Sequence, residues 1–269
     1  MNDLASVFSY SFMRNAFLCG TLICVCAALL GVLLVLKRYS MIGDGLSHVG
    51  FGAMSIAAVM GLSPLAIALP VVSVSALLLM GITSNSRIKG DAAIGLISTG
   101  ALTFGIITVS VAGVNTDLNS YLFGSILSLT HQDAVLSLVA ATIVILLFTI
   151  MYNKIFSVTF DENFSKAIGI KVSFYNSVTA VLSAITIVLG MRMMGTLLIS
   201  ALIIFPALTA MRVFKSFKKV CVFSAVIAVL CFIIGMIVSF MFSTPAGATV
   251  VATNIVMFFI FWAIGSIAR

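Results

Sequence analysis

Residues 39–60 read YSMIGDGLSHVGFGAMSIAAVM, a run of small and apolar side chains long enough to cross a lipid bilayer as a helix. The run nevertheless contains Asp44 and His48. Their spacing of four residues places the carboxyl and imidazole groups on one face of a helix, one turn apart. At about 1.5 Å per residue from Arg38, Asp44 lies about 9 Å and His48 about 15 Å inward. The imidazole is then close to the middle of a hydrocarbon layer about 30 Å thick.

The composition of the whole chain indicates a membrane protein. Of its 269 residues, 62% are hydrophobic and 8% are charged, whereas about 25% of the residues in a soluble domain are charged. Unpaired strand edges are unstable in lipid, so the apolar runs are expected to be helices. We predict an all-α membrane protein, a single domain over 1–269 with about eight or nine transmembrane helices. The apolar runs are 14–36, 40–60, 63–81, 91–113, 133–152, 173–190, 193–211, 220–242 and 248–267.

Basic residues explain the net charge of +7, and they cluster between the apolar runs rather than along one polar face, which argues against a nucleic-acid partner. Short loops rich in Lys and Arg face the cytoplasm. With nine crossings, the N-terminus is then outside and the C-terminus inside. Arg192 falls near the outer surface, where it either snorkels to the interface or lines an aqueous path. The clusters are Lys37 with Arg38, Arg87 with Lys89, Lys154 to Lys171, Arg212 to Lys219, and Arg269.

Asp44 and His48 are the candidate functional pair. A carboxylate at this depth costs about 3 kcal/mol on insertion scales, so such residues usually face a cavity and mark a path for ions or protons. The alternative is a structural pair in which Asp44 only orients His48. Imidazole nitrogen and carboxylate oxygen are ligands for zinc or manganese, although two ligands are too few for a specific site.

A second copy of the chain would supply the missing ligands. Two protomers related by a two-fold axis along the membrane normal would bring two Asp44 and two His48 side chains to a shared path. A set of small residues beside the pair would let helix backbones approach closely in such a dimer. This small-residue stripe consists of Gly43, Ser47, Gly50, Ala53 and Ala57.

The loop after the fifth run, residues 153–172, predicts a short amphipathic helix at the cytoplasmic surface, over about 159–169. Thr159 and Glu162 have the spacing of a capping box, and Gly169 suits the left-handed residue that ends a helix. Phe160, Phe164, Ala167 and Ile168 recur at helical spacing. The helix either rests on lipid headgroups or docks on a soluble partner.

Two further segments carry local signals. Thr130 and Asp133 form a second capping-box pattern, which accounts for His131 and Asp133 as loop and cap residues without a ligand role. Pro206 removes a backbone donor inside the run 193–211, so a helix kink is expected there. We assign Pro206, together with Ser200 in the same run, to the kink and the transport pathway.

The chain contains no phosphate-binding GxxxxGK[ST] motif. Six other motifs follow one another along it: GDGLSHVGFG (43–52), KGDAAIGLIS (89–98), YLFGSIL (121–127), FDENFSKAIGI (160–170), GTLLISALIIFPALTAM (195–211) and TPAGATVV (244–251). In this order they resemble the permease family of bacterial zinc/manganese/iron ABC importers, and the resemblance extends over essentially the whole chain.

The resemblance implies a homodimeric, multi-pass permease of the bacterial plasma membrane, without catalytic activity or a permanently bound cofactor. Such a permease receives a divalent metal, zinc ahead of manganese or iron, from an extracytoplasmic binding protein, and two copies of a separate cytoplasmic ATPase drive it. Asp44 and His48 match the family's intramembrane metal contacts. The cytoplasmic helix resembles the coupling helix that docks on the ATPase, through Phe160, Asp161, Glu162, Phe164, Lys166 and Gly169.

Two other function classes remain as alternatives. In a secondary transporter, Asp44 and His48 would relay protons and no ATPase would be needed. An intramembrane metal-dependent protease would need more ligands, and the chain has neither an HExxH motif nor a second acidic ligand on a membrane segment.

Overall fold

The computed structural model describes residues 11–85, 90–113, 124 and 131–267, and its regular elements in these ranges are all helices. Nine of them are long, and one, α6, is short. They are α1 (Ser11–Leu36), α2 (Ile42–Val59), α3 (Pro64–Asn85), α4 (Gly90–Ala112), α5 (His131–Phe160), α6 (Glu162–Ala167), α7 (Val172–Met194), α8 (Thr196–Val213), α9 (Phe217–Phe242) and α10 (Ala246–Ile267).

The nine long helices coincide with the nine predicted apolar runs. Within the described residues, eight of them are long and apolar enough to cross a membrane, and α2, which carries Asp44 and His48, is the long helix outside that set. The predicted all-α polytopic fold is therefore confirmed. The largest difference is in α5, which continues from the predicted end at 152 to Phe160.

The helices form two groups that are joined by two helices. One group packs α2 against α3 and α4, and the other packs α1, α8, α9 and α10 together, with α5 against α1. Helices α7 and α8 contact both groups. In the most apolar stretch of α1, 67% of the residues are buried inside the chain, compared with 17% of those in α10. Helix α1 is thus a core helix, and α10 presents most of its surface to the surroundings.

The basic end of α1 and the loop that contains α6 lie at the same end of the bundle. Lys37, directly after α1, has its ammonium nitrogen 3.1 Å from a carboxylate oxygen of Glu162. This agrees with the expectation that the clusters at 37–38 and 154–171 face the same side of the membrane.

Glycines bring helix backbones into direct contact in the core, and Gly31 and Gly52 are two examples. A Cβ atom on Gly31 of α1 would collide with the backbone carbonyl of Ile203 in α8, and one on Gly52 of α2 would collide with that of Ala101 in α4. In lipid, where apolar surface gives helices no reason to associate, such close van der Waals packing is a main source of stability.

The small-residue stripe on α2 is used within one protomer. Gly43 packs against the side chain of Ile203 and Gly50 against that of Met191. Ser47, Ala53 and Ala57 are buried in the single chain. The prediction that this stripe makes the contact between two copies is therefore wrong, because α3, α4, α7 and α8 already cover it.

Gly31→Ala is expected to lower the free energy of unfolding by about 1–3 kcal/mol, since the added methyl group meets backbone that cannot move aside. The measurement is the thermal unfolding midpoint of the purified chain in detergent. Gly100→Ala in α4 is the matched control, because no heavy atom lies within 4 Å of its Cβ position. Equal midpoints for the two variants would contradict this account of the packing.

Candidate functional site

Helix α2 begins directly after a tight turn from α1. The amide of Tyr39 donates to the Leu34 carbonyl at 2.7 Å and that of Arg38 to the Val35 carbonyl at 3.1 Å. This is the Schellman pattern that ends a helix, with Arg38 at φ 61° in the position where glycine is usual. The turn fixes where α2 starts and therefore the position of Asp44 in its first turn.

Asp44, His48 and Ser200 come together between α2 and α8. His48 Nε2 lies 3.5 Å from Asp44 Oδ2, and the Ser200 hydroxyl donates to Asp44 Oδ1 at 3.2 Å. The same hydroxyl is 3.1 Å from the carbonyl of Thr196, one helical turn earlier. A hydroxyl has one proton, so Ser200 has two alternative acceptors, one of which is the carboxylate.

The pair opens into a cavity of about 280 Å³ between α2 and α4. Asp44 and His48 line one wall, and Ser98 and Thr99 of α4 line the opposite wall. The side chains of Asp44 and His48 are 44% and 28% exposed, so the carboxylate and imidazole face the cavity rather than a dry helix contact. The prediction from the sequence did not include Ser98 or Thr99, which carry no signal beyond being small and polar.

One protomer supplies an incomplete set of metal ligands. In the described ranges, no group of three or more His, Cys, Asp or Glu side chains is close enough to hold a metal ion. His48 Nδ1 is buried without a hydrogen-bond partner. The atoms available to a cation in the cavity are therefore Asp44 oxygens and His48 Nε2, supplemented by the hydroxyls of Ser98 and Thr99.

The short helix α6 lies after α5, and its caps differ in part from the prediction. The N-cap is Asp161, whose side chain accepts from the Phe164 amide at 2.9 Å. Thr159 instead donates to the Ile155 carbonyl inside α5, so the predicted capping box is wrong. Phe160 ends α5 rather than lying in α6.

The predicted C-terminus of α6 is confirmed at Gly169, which has φ +83°. The Ile170 amide donates to the Ser165 carbonyl and the Gly169 amide to that of Lys166, a complete Schellman motif. Ser165 is buried and its hydroxyl is 2.8 Å from that of Ser157 in α5. This contact fixes one face of α6 against the bundle.

The opposite face of this region is apolar and exposed. Phe160, Phe164 and Ile168 have exposed fractions of 59%, 58% and 54%. Asp161 and Lys166 are exposed beside them. Aromatic rings with charged neighbours are typical of a surface that a partner protein covers.

Glu162 connects α6 to two long helices. Its carboxylate accepts from Lys37 at 3.1 Å and from the Asn176 side-chain amide of α7 at 2.9 Å. Partial burial raises the pKa of the Glu162 carboxyl, but hydrogen bonds from Asn176 and Lys37 and the charges of Lys37 and Lys166 outweigh this, so the pKa is lowered. The ionised carboxylate is therefore retained, and its stabilising contribution is lost only as the pH falls through that lowered pKa.

Arg192 has a partner that the sequence pattern did not indicate. Its guanidinium is 3.7 Å from the carboxylate of Asp133, and the two side chains are 24% and 19% exposed. Asp133 had been predicted as a cap paired with Thr130, which lies outside the described residues. His131 is the first residue of α5. The pair links α5 and α7 at the end of the bundle opposite to α6, and Arg192 does not line the cavity beside Asp44.

Comparison with known proteins identifies the family. The model of the ABC 3 transport family matches residues 9–265. The chain belongs to this family. The resemblance carried by the six sequence motifs is thereby confirmed, and the helices described above are those of an ABC permease.

Three relatives of this ABC permease carry the names of different metals. The manganese import system permease protein ScaB of Streptococcus gordonii is 30% identical over 96% of this chain and 92% of its own length. A probable iron transport system membrane protein of Haemophilus influenzae is 30% identical over 96% and 95%. The high-affinity zinc uptake system membrane protein ZnuB of the same organism is 27% identical over 93% and 96%.

The fold is also that of a solved structure. The structure of PsaBC from Streptococcus pneumoniae in complex with Fab superimposes with a TM-score of 0.86 and 30% identity, covering 96% of this chain and 94% of the other. The candidate site residues on α2, α6 and α8 therefore lie in a framework shared with that solved structure. Pro206 lies inside α8, which continues through it to Val213.

Asp161→Ala in this permease is expected to loosen α6, because the Phe164 amide loses its acceptor. A lost N-cap costs about 1 kcal/mol, so hydrogen exchange at this amide should be about fivefold faster. Asp161→Asn, which keeps a capping oxygen, is the control and should exchange like the unaltered chain. Unchanged exchange in Asp161→Ala would mean that Asp161 does not hold the helix.

Proposed function

We propose that this chain is the membrane-spanning subunit of an ATP-driven importer of a divalent metal ion. Membership of the ABC 3 transport family and relatives named for manganese, iron and zinc import support the proposal. The observation that carries it is the pairing of Asp44 and His48 beside an open cavity within a membrane helix. A carboxylate and an imidazole in this position offer a partly dehydrated cation its two ligands.

Ser200 supports a site that releases its ion. Its hydroxyl donates to Asp44 in the structure. When a cation takes that oxygen, the hydroxyl can turn to the Thr196 carbonyl, which is also within reach. Neither state leaves the hydroxyl proton unpaired, so exchange between hydrogen bond and metal costs little. An incomplete ligand set suits transit, since conduction needs sites weak enough to release their ion.

The whole chain, residues 1–269, acts as one permease domain, and two copies form the transporter. A homodimer would double the number of Asp44 and His48 ligands. Its dimer contact must lie outside the small-residue stripe, which is already buried. An extracytoplasmic binding protein delivers the metal, and the assembly resides in the bacterial plasma membrane.

Separate cytoplasmic ATPase subunits supply the energy. The exposed Phe160 and Phe164 rings form the docking surface, and Asp161, Glu162, Lys166 and Gly169 shape and hold α6. Fixing α6 through Ser165 and Glu162 allows it to pass on a force rather than to unfold from the bundle. Under this proposal the permease binds and hydrolyses no nucleotide itself.

The cargo is a divalent transition metal. The sequence resemblance favoured zinc, but relatives at 30% identity carry manganese and iron in their names. Imidazole and carboxylate ligands bind all three metals and discriminate poorly between them. We therefore propose a divalent transition metal as the class of cargo, and the uptake assay below identifies the metal.

Reconstitution tests the function directly. Proteoliposomes that contain the permease and its cognate ATPase should accumulate Mn²⁺ or Zn²⁺ when ATP is supplied on the ATPase side, and should not when the ATPase is omitted. Uptake without the ATPase, driven by an imposed pH gradient, would support the secondary transporter instead. Measuring both metals in competition would identify the preferred cargo.

Asp44→Asn and His48→Gln are each expected to lower uptake at least about a hundredfold, as loss of a site ligand or its outer support commonly does. Ser200→Ala should retain transport, because the two proposed metal ligands, Asp44 and His48, are unchanged. Ser75→Ala, half-buried on α3 and away from the cavity, is the matched control. Uptake at the unaltered rate in Asp44→Asn, with normal assembly, would show that the pair is structural.

A further inference from the structure

We propose that Lys37, Glu162 and Asn176 form a mechanical link that carries the movement of α6 to Asp44. The proposal rests on the proposed function, in which α6 receives the ATPase. Lys37 and Asn176 lie outside the predicted coupling segment, and they are assigned here as positioning residues that act on the metal site through α2.

The three side chains form a closed triangle between three helices. Lys37 follows α1, Glu162 opens α6 and Asn176 lies near the start of α7. Lys37 Nζ is 3.1 Å from Glu162 Oε1, and the Asn176 Nδ2 group donates to the same oxygen at 2.9 Å. Lys37 also donates to Asn176 Oδ1. Each side chain of the triangle therefore has two partners.

Burial makes the triangle difficult to separate. The Lys37 side chain is only 10% exposed, whereas that of Glu162 is 46% exposed. A buried ammonium that loses its carboxylate is left as an uncompensated charge, which is strongly unfavourable. When α6 is displaced and Glu162 moves with it, Lys37 therefore moves as well, and the ion pair does not break.

A turn with several backbone hydrogen bonds joins Lys37 to Asp44. The amides of Lys37 and Tyr39 donate to the last turn of α1, the Ile42 amide donates to Tyr39, and the Gly45 amide donates to Met41. Arg38 holds the left-handed conformation that this turn requires. The turn thus has little freedom to absorb a movement of Lys37, which is passed to the first turn of α2, where Asp44 lies.

The test uses the complete transporter in proteoliposomes and measures metal uptake per ATP hydrolysed. Asn176→Ala and Lys37→Met should each keep the ATPase bound and active while uptake per ATP falls about fivefold or more, the range of a typical coupling between sites. Combining the two should cost little more than either alone, because both break the same link. The ion-pair swap, Lys37→Glu with Glu162→Lys, should restore coupling.

Lys215→Met is the matched control. Lys215 lies in the loop between α8 and α9, is exposed, and forms no ion pair in the described part of the chain. The variant Lys215→Met should show the same metal uptake per ATP hydrolysed as the unaltered permease. Should Lys37→Met fail to fold, Asn176→Ala still decides the question. Normal coupling in Asn176→Ala, or no recovery in the swapped pair, would overturn the link. If the unaltered permease neither binds an ATPase nor transports, the proposed function itself fails.

Discussion

A carboxylate among membrane-spanning helices is costly, about 3 kcal/mol at a helix centre on insertion scales, and Asp44 lies in the first turn of α2, which packs inside such a bundle. The packing of the neighbouring helices reduces that cost. The small residues of α2 let α4, α7 and α8 pack closely on its other faces, while the face of Asp44 and His48 opens to the cavity. Ser200 of α8 supplies a hydrogen bond to the carboxylate. The carboxylate is therefore accommodated by a cavity and a neighbouring hydroxyl rather than in a dry helix contact.

Much of this architecture follows from hydropathy and local spacing. Nine apolar runs predicted nine long helices, and the separation of Asp44 and His48 predicted that they share a face, as their 3.5 Å contact confirms. Gly169 was identified correctly as the end of α6 because the left-handed conformation leaves few other residue choices. The contact of Ser200 with Asp44 spans 156 residues of chain. A pattern in the sequence shows that Ser200 and Asp44 each have a polar side chain suited to such a site, but it does not show that the two side chains are in contact.

The errors arise because local patterns compete with other contacts. Thr159 has the spacing of a capping residue, yet α5 continues past it and Asp161 takes the role. The ion pair between Asp133 and Arg192 was not indicated either, because its two members are far apart in the sequence. The small-residue stripe was assigned to a dimer contact because composition does not distinguish packing within a chain from packing between chains. The deciding neighbours are thus far away in the sequence for the ion pair and the stripe, and close by only for Thr159.

The central claim is that Asp44 and His48 face a water-filled route that a divalent cation enters. Thr99 lines the opposite wall of the cavity, so Thr99→Cys places a thiol there without altering the pair, and the described native cysteines are all buried. The measurement is the rate at which a water-soluble, membrane-impermeant thiol reagent modifies this cysteine in the assembled transporter. We predict modification that Mn²⁺ slows, and loss of that protection when Asp44→Asn is added. An unreactive thiol, or protection that persists without the Asp44 carboxylate, would contradict the account.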